Sequence, residues 1–231
     1  MSDIFREVDE EVRRDELKGV WDKYGLYILG LCGVVILGVG GFKGWQAYQS
    51  ARAERAGSNY SHALNLEQAG KNDEALKAFE TLAANGPKGY STLAKFRLAG
   101  AQAKAGNVDL AIASYDQLAA DDQLDAIMRG LAQVRASALL LDQTKPAEVE
   151  KRLNAMNAPG NPWRNSAREL LALSAYQSGD MTKANQLYNE IITDPAAPGG
   201  IRQRAQLMIS LMAPDLAAKA AKAPAKPAKT E

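Results

Sequence analysis

The sequence AGKNDEALKAF, residues 69–79, decides the fold because its pattern recurs along the chain. Residues 105–112 repeat its first eight positions as AGNVDLAI, and residues 178–185 repeat them as SGDMTKAN. The first two copies are about 36 residues apart, and the third lies about two such steps further on. A fixed period of about 20–50 residues is typical of repeat architectures. The sequence therefore predicts an all-α stack of similar units.

Each copy has the composition of a turn between two helices. Its glycine, Gly70 in the first copy, can adopt the positive φ that ends a helix. An aspartate follows, placed to cap the second helix; these are Asp73, Asp109 and Asp180. An alanine then precedes an aromatic residue by four positions, which puts both on one helix face. The pairs are Ala75–Phe79, Ala111–Tyr115 and Ala184–Tyr188. We expect the alanine to allow close helix contact and the ring to pack against the next unit.

A further unit is predicted between the second and third copies. Residues 141–146 read LDQTKP, a helix end followed by a proline at a helix start, and Val149 and Leu153 replace the alanine and the aromatic residue. Helix breakers separate the units at residues 85–87, 121–122, 158–160 and 194–195. We therefore predict a repeat domain over residues 43–212 with about four helical hairpins. A last helix, residues 201–212, would cap the stack.

The chain after this helix is rich in alanine, lysine and proline. Pro224 and Pro227 favour an extended chain, and few side chains there could enter a core. We predict a disordered tail over residues 213–231.

The apolar sequence YGLYILGLCGVVILGVGGF, residues 24–42, precedes the repeats and contains no charge. As a helix it would be about 28 Å long, close to the roughly 30 Å hydrocarbon core of a bilayer. Lys23 and Lys43 bracket it, and tryptophan and tyrosine residues flank it, as is typical at headgroup level. These features predict a transmembrane helix over residues 24–42. A cleaved signal peptide and a buried globular helix are the alternatives, although the run is long for a signal peptide.

Basic residues on the two sides of this helix predict its orientation. Residues 1–23 contain five lysines and arginines, whereas residues 43–60 contain three. Because lysine and arginine resist translocation, we expect a cytoplasmic N-terminus and a repeat domain on the far side of the membrane. Residues 1–23 carry a net charge of −3, and Ile4, Val8 and Val12 fall at four-residue spacing. They predict an acidic amphipathic segment, suited to a basic protein partner or simply solvated.

The glycine, alanine and aromatic positions resemble those of the tetratricopeptide repeat in three of the four units. The first-helix tryptophan and tyrosine of that motif are missing. With its acidic start and single anchor, the chain is similar to the bacterial membrane-anchored tetratricopeptide repeat-like family, which includes the ancillary subunit of the SecYEG translocon. The resemblance implies an inner-membrane location, a periplasmic repeat domain and protein partners: the Sec translocon, periplasmic chaperones or newly exported clients. An assembly factor of a division or outer-membrane complex is the alternative.

Little in the sequence indicates catalysis or a cofactor. The chain has one histidine, His62, so a multi-histidine metal site is impossible, and no phosphate-binding loop motif is present. Residues 43–212 carry 19 basic and 17 acidic residues, which gives no basic footprint for nucleic acid. The only cysteine, Cys32, lies in the apolar run, so the repeat domain has no disulfide framework. We expect a protein that is not an enzyme and needs no cofactor; its oligomeric state is not indicated.

The candidate binding residues come from the resemblance, because superhelical repeats bind through the surface lined by their first helices. The register of the motif places six side chains on that side, or alternatively in packing between units. They are Tyr60, Leu64, Phe96, Val134, Leu173 and Tyr176. We expect an apolar surface with aromatic anchors, without the lysine, arginine and asparagine grouping that holds a peptide carboxylate.

Overall fold

The computed structural model describes residues 2–143 and 145–222, with the side chains of 2–17, 19, 20, 22, 28 and 219–222 excepted. All elements in this part of the chain are helical, which confirms the predicted fold class. They are α1 (Ser2–Gln68), α2 (Asn72–Asn85), α3 (Lys88–Lys104), α4 (Val108–Ala120), α5 (Ala126–Asp142), α6 (Pro146–Leu153), a 3-10 turn (Asn154–Asn157), α7 (Arg164–Gln177), α8 (Met181–Thr193) and α9 (Gly199–Lys222). The chain forms two compact units, Met1–Ser61 and His62–Glu231.

The first unit is helical from Ser2 and contains the predicted transmembrane run. Large apolar side chains in that run are exposed, including Leu26 at 84% and Leu37 at 77%. Among the described residues, one helical stretch, Lys23–Gln68, is long and apolar enough to cross a bilayer, and 6% of its most apolar window is buried. A core helix of a globular protein would be buried, so this exposure argues against that alternative; a signal peptide shares the same length and composition. The side chains of Ile4, Val8 and Val12 lie outside the described residues.

The second unit turns at the predicted glycines. Gly70, Gly106 and Gly179 have φ values of 75°, 85° and 80°, as the repeat pattern requires. In the first turn, the Lys71 N–H donates to the Leu66 carbonyl, which satisfies one of the free carbonyls at the helix end. The other two turns repeat this hydrogen bond with their own residues. The glycines therefore end the first helix of each hairpin by the same mechanism.

The predicted aspartate caps are correct for one of the three copies. The Asp180 carboxylate accepts a hydrogen bond from the Lys183 N–H at the start of α8. Asp73 and Asp109 instead lie inside the first turns of α2 and α4, whose N-cap residues are Lys71 and Asn107. There the carboxylates favour the helix through its dipole rather than by capping.

The core of the second unit forms where each helix packs on the next along the chain. All three alanine–aromatic pairs of the repeat are buried, with exposures from 0% to 6%. Val149 and Leu153, which replace that pair in the remaining unit, are fully buried. The predicted burial of these pairs is therefore confirmed, and Tyr115 packs against Phe96 of its own unit. Packing of the rings against the next unit stays a prediction.

Side-chain hydrogen bonds between neighbouring units follow the repeat period. Arg152 donates to Asp116, 36 residues earlier, and Gln143 donates to Asp109, 34 residues earlier. Arg204 donates to Glu169 across 35 residues. These separations are close to one repeat, so corresponding positions of adjacent units meet in space.

The last helix is longer than predicted. Ala205 and Met212 are fully buried, as expected of a capping helix. However, α9 continues through Pro214 to Lys222, so the prediction of disorder is wrong for residues 213–222. Leu216 packs against the core beyond the proline, and this contact supports the additional turns. Residues 223–231 of the predicted tail lie outside the described residues.

Candidate protein-binding surface

The six predicted binding residues lie in several environments. Phe96, Val134, Leu173 and Tyr176 are half-buried on α3, α5 and α7 and pack against the core. Leu64 lines a groove in the second unit, and Tyr60 lies in the first compact unit. The role of these residues in binding stays a prediction.

Two of the predicted aromatic anchors contribute to packing. The Phe96 ring centroid is 5.9 Å from that of Tyr115, which is buried. Tyr176 packs against the core and lies near the buried Tyr188. Burial, and then the nearby Glu169 and Tyr176, raise the pKa of Tyr188 to about 12. Replacing Phe96 or Tyr176 is therefore expected to affect the stability of the repeat domain as well as any binding.

The α2–α3 groove contains Leu64 and has a volume of about 750 Å³. Its charged residues are Glu67, Asp73, Arg97 and Lys104. The Glu67 carboxylate lies 3.6 Å from the Arg97 guanidinium and 3.1 Å from the Lys104 ammonium. Two basic side chains therefore lie in this groove, both paired with Glu67, and the absence of a group that holds a peptide carboxylate stays a prediction. Because Arg97 and Lys104 are one helical heptad apart, they share a face of α3. Glu67 offsets their charge, which disfavours this groove as a carboxylate site.

The α3–α5 groove has a volume of about 610 Å³ and lies between the first helices of two consecutive units. The side chains of Tyr90, Leu93, Leu124 and Met128 give it an apolar lining. Leu124 is buried, whereas Leu93 is 39% exposed. An exposed leucine beside buried apolar groups is a surface that a partner's side chain can cover.

Two hydrogen bonds hold the ends of this groove in place. The Asp125 carboxylate accepts a hydrogen bond of 2.8 Å from the Met128 N–H, which caps α5. The Lys88 ammonium donates to the Gln123 carbonyl at 2.5 Å, linking the start of α3 to the loop before α5. Polar groups at both ends are thus satisfied within the chain, and the space between them is left to apolar contact.

The next junction along the stack, between α5 and α7, is largely closed and leaves a smaller cleft of about 260 Å³ beside Trp163. The Trp163 indole N–H donates to the Ile127 carbonyl at 3.0 Å. The indole also covers Gly130 so closely that a Cβ atom at Gly130 would overlap it. A side chain of the chain itself therefore occupies this junction, and α5 packs directly on α7.

An ionic cluster joins α7 to the loop before α9, which begins at Gly199. The buried Asp194 carboxylate accepts hydrogen bonds from the side chains of Arg164 and Asn165, and from the Ala196 N–H at 2.9 Å. Arg168 lies 3.4 Å from the same carboxylate. The Ala196 N–H is the largest contributor to a lowered pKa of Asp194, and the hydrogen bonds of Arg164 and Asn165 act in the same direction. Of these three junctions, the one between α3 and α5 thus has a wider groove than the one between α5 and α7, about 610 Å³ against about 260 Å³.

The sequence prediction missed the α3–α5 groove, Trp163 and Asp194. The sequence contains a pattern that points to this position, because Pro87, Asp125 and Trp163 immediately precede α3, α5 and α7 at equal spacing. The residue at this position changes from small to large along the stack. What the sequence does not show is which residues of the preceding unit each of them meets.

A family model supports the repeat pattern. The model of the tetratricopeptide repeat-like domain matches residues 18–208, most of the chain. The chain belongs to the tetratricopeptide repeat-like family. No curated protein and no solved structure is similar enough to the chain to count as a match. Members of this family are typically non-catalytic scaffolds for protein–protein interaction.

In this tetratricopeptide repeat-like chain, α3, α5 and α7 are the first helices of consecutive units, and such helices line the binding face of repeat proteins. The α3–α5 groove lies between two of them. Among the described residues, no group of three or more histidine, cysteine, aspartate or glutamate side chains could hold a metal ion.

Proposed function

We propose that the chain is a non-enzymatic, membrane-anchored scaffold that binds proteins through its repeat domain. The observation that carries the proposal is the α3–α5 groove, an apolar groove wider than the cleft at the next junction, which Trp163 largely closes. Exposed apolar surface in a soluble domain favours an interaction site. The exposed apolar side chains between Trp21 and Tyr48 fit an anchor that holds this domain at a bilayer.

The location in the proposal is the bacterial inner membrane, with residues 1–23 in the cytoplasm and the repeat domain in the periplasm. The excess of basic residues before the apolar run supports this orientation. The partners in the proposal are the Sec translocon with periplasmic chaperones or newly exported clients. They are supported by the resemblance of the whole architecture, including the acidic start, to the anchored repeat family. The predicted six residues remain candidate contacts beside the groove.

Crosslinking in intact membranes tests the proposal. A photoreactive phenylalanine analogue at Leu93 would lie in the groove, and the same analogue at Leu110 provides a control, because Leu110 is 54% exposed on α4. We expect protein adducts at position 93 that are weak or absent at position 110. Adducts with translocon subunits, chaperones or exported proteins would support the full proposal. Adducts with division or outer-membrane assembly proteins would mean that the partner is an envelope complex and not the translocon. Equal labelling at positions 93 and 110 would contradict a binding role for the groove.

A further inference from the structure

The largely closed α5–α7 junction indicates what the wider α3–α5 groove can hold. Trp163 precedes α7 and contacts Ile127 and Gly130, the second and fifth residues of α5. The second and fifth residues of α3 are Gly89 and Thr92, and both line the α3–α5 groove. The groove therefore lies at the position that the Trp163 indole occupies one unit later.

Asp125 leaves this position open. It precedes α5 as Trp163 precedes α7, but its carboxylate accepts a hydrogen bond from the Met128 N–H of its own helix. A Cβ atom built on Gly89 would meet no atom within 4 Å, so the first turn of α3 is open to an incoming group. The apolar side chains of Leu93 and Met128 stand beside this space without filling it.

We infer that the α3–α5 groove binds a tryptophan side chain of a partner polypeptide, with its indole N–H donating to the Gly89 carbonyl. This inference rests on the proposed function and names the chemistry of the partner. The apolar walls match the indole ring, and the carbonyl matches its single polar group, as the Ile127 carbonyl does for Trp163. A phenylalanine ring would fill the walls without making the hydrogen bond.

Thr92 sets the position of the ring. Gly130 allows Trp163 to lie directly on the α5 backbone, whereas Thr92 carries a side chain whose hydroxyl donates to the Lys88 carbonyl at 2.9 Å. The partner's ring must therefore lie further from the helix axis than Trp163 does. The groove provides that space, with its volume of about 610 Å³.

Lys88 and three aspartates lie beside the groove, and because the aspartates outnumber the lysine they favour a tryptophan that is followed by a neutral or basic residue. Asp121, Asp122 and Asp125 lie in the loop before α5, and Asp122 and Asp125 are exposed. An acidic partner segment would meet like charges here. Trp163 is itself followed by Arg164, so the chain contains a segment with the required composition.

The test uses that segment as the probe. The blocked peptide acetyl-GNPWRN-amide, with the sequence of residues 160–165 and 5-fluorotryptophan as its tryptophan, is titrated with the full chain in lipid nanodiscs. Fluorine NMR reports on the peptide alone, so the tryptophans of the protein do not interfere. We expect saturable broadening with the protein, none with empty nanodiscs, and at least tenfold weaker binding of a peptide with 4-fluorophenylalanine in place of the tryptophan. Absence of saturable binding would overturn the inference.

Three variants make the test specific. Asp125→Trp combined with Thr92→Gly reproduces the closed junction, and we expect it to weaken peptide binding at least tenfold. Leu93→Gln changes a partly exposed side chain in the wall of the groove, so this variant should fold and bind the peptide more weakly. It serves as the test of the site if the double variant is unstable. Thr92→Gly alone should strengthen binding several-fold, because the ring can then approach as Trp163 does. Equal binding to the wild type and to Leu93→Gln would overturn the site.

Failure of the inference and failure of the proposed function give different results. If position 93 crosslinks to proteins but the peptide does not bind, the scaffold proposal stands and the tryptophan site is wrong. If the peptide binds at the groove but position 93 crosslinks to no protein in membranes, the groove can bind a tryptophan side chain and the scaffold proposal is wrong.

Discussion

At the scale of single residues, Ala111 shows how strictly the repeat limits side-chain size. Its side chain is fully buried beside the turn that ends at Asn107, and the preceding residue, Leu110, is 54% exposed. We expect Ala111→Trp to destabilise the repeat domain, because overpacking typically costs about 1–3 kcal/mol. The midpoint of thermal unfolding, followed by circular dichroism, should fall by several degrees.

Leu110→Trp is the matched control for that change. It adds the same ring one residue earlier on α4 at an exposed position, where substitutions usually change stability by about 0.5 kcal/mol or less. An unchanged midpoint for both variants would mean that Ala111 does not lie at a tight contact.

Asp194 predicts a dependence of stability on pH. Its pKa is lowered in the folded chain, chiefly by the Ala196 N–H and then by the side chains of Arg164 and Asn165. A group with a lowered folded pKa stabilises the fold above its unfolded pKa, which is about 3.9 for aspartate, and that stabilisation is lost as the pH falls through the folded pKa. We expect Asp194→Asn to lower the unfolding midpoint near pH 7 and the difference from wild type to shrink below about pH 4.

Asp122→Asn provides the comparison for the pH series, because Asp122 is exposed in the loop before α5. Its unfolding midpoint should follow the wild type closely across the pH range. If Asp194→Asn also follows the wild type across that range, the cluster does not stabilise the junction between α7 and α9.

At the scale of helices, packing of α7 on α5 depends on Gly130. An added Cβ at Gly130 would overlap the Trp163 indole, whereas one at Gly89 would meet nothing within 4 Å. We expect Gly130→Ala to displace the ring, break its hydrogen bond to Ile127 and destabilise the domain by about 1–3 kcal/mol. Gly89→Ala should be neutral or stabilising by up to about 1 kcal/mol, because alanine favours a helix.

Thermal unfolding measures this difference in stability between the two glycine variants. Trp163→Phe separates the contribution of the ring from that of its hydrogen bond to Ile127. The phenylalanine keeps a ring but removes the N–H that donates to Ile127. If Gly130→Ala is as stable as Gly89→Ala, the indole does not hold the two helices together.

At the scale of the whole molecule, the proposed orientation predicts a protease pattern. Protease added after the outer envelope is opened should digest the repeat domain and leave about the first twenty residues intact. The reason is the excess of basic residues before the apolar run, since lysine and arginine resist translocation. Immunoblotting with tags at both ends measures the outcome, with a cytoplasmic protein as the control for intact inner membranes.

Two results would contradict this topology. Digestion of the repeat domain from the cytoplasmic side alone would reverse the orientation. A mature N-terminus near residue 54, after the only alanine-x-alanine sequence in that region, would mean that the apolar run is a cleaved signal peptide.

The local parts of this fold could be read from the sequence. The glycine turns, the alanine–aromatic pairs and the proline start of α6 each depend on residues within one turn or hairpin, and the structure confirms them. Glycine adopts positive φ, and residues four apart share a face, wherever they occur in a helical sequence. The repeat itself followed from these local rules.

The tertiary structure decided how far each junction is closed and where the last helix ends. Trp163 meets Gly130, and Asp194 meets Arg164, because about one repeat of intervening chain folds back to place them together. Local propensity predicts a stop at Pro214, but the packing of Leu216 against the core carries α9 past it. Asp125 is an ordinary helix cap in the sequence; only the position of α3 beside it makes the space around it a groove. Contacts between distant residues depend on the assembled units, so no local pattern encodes them.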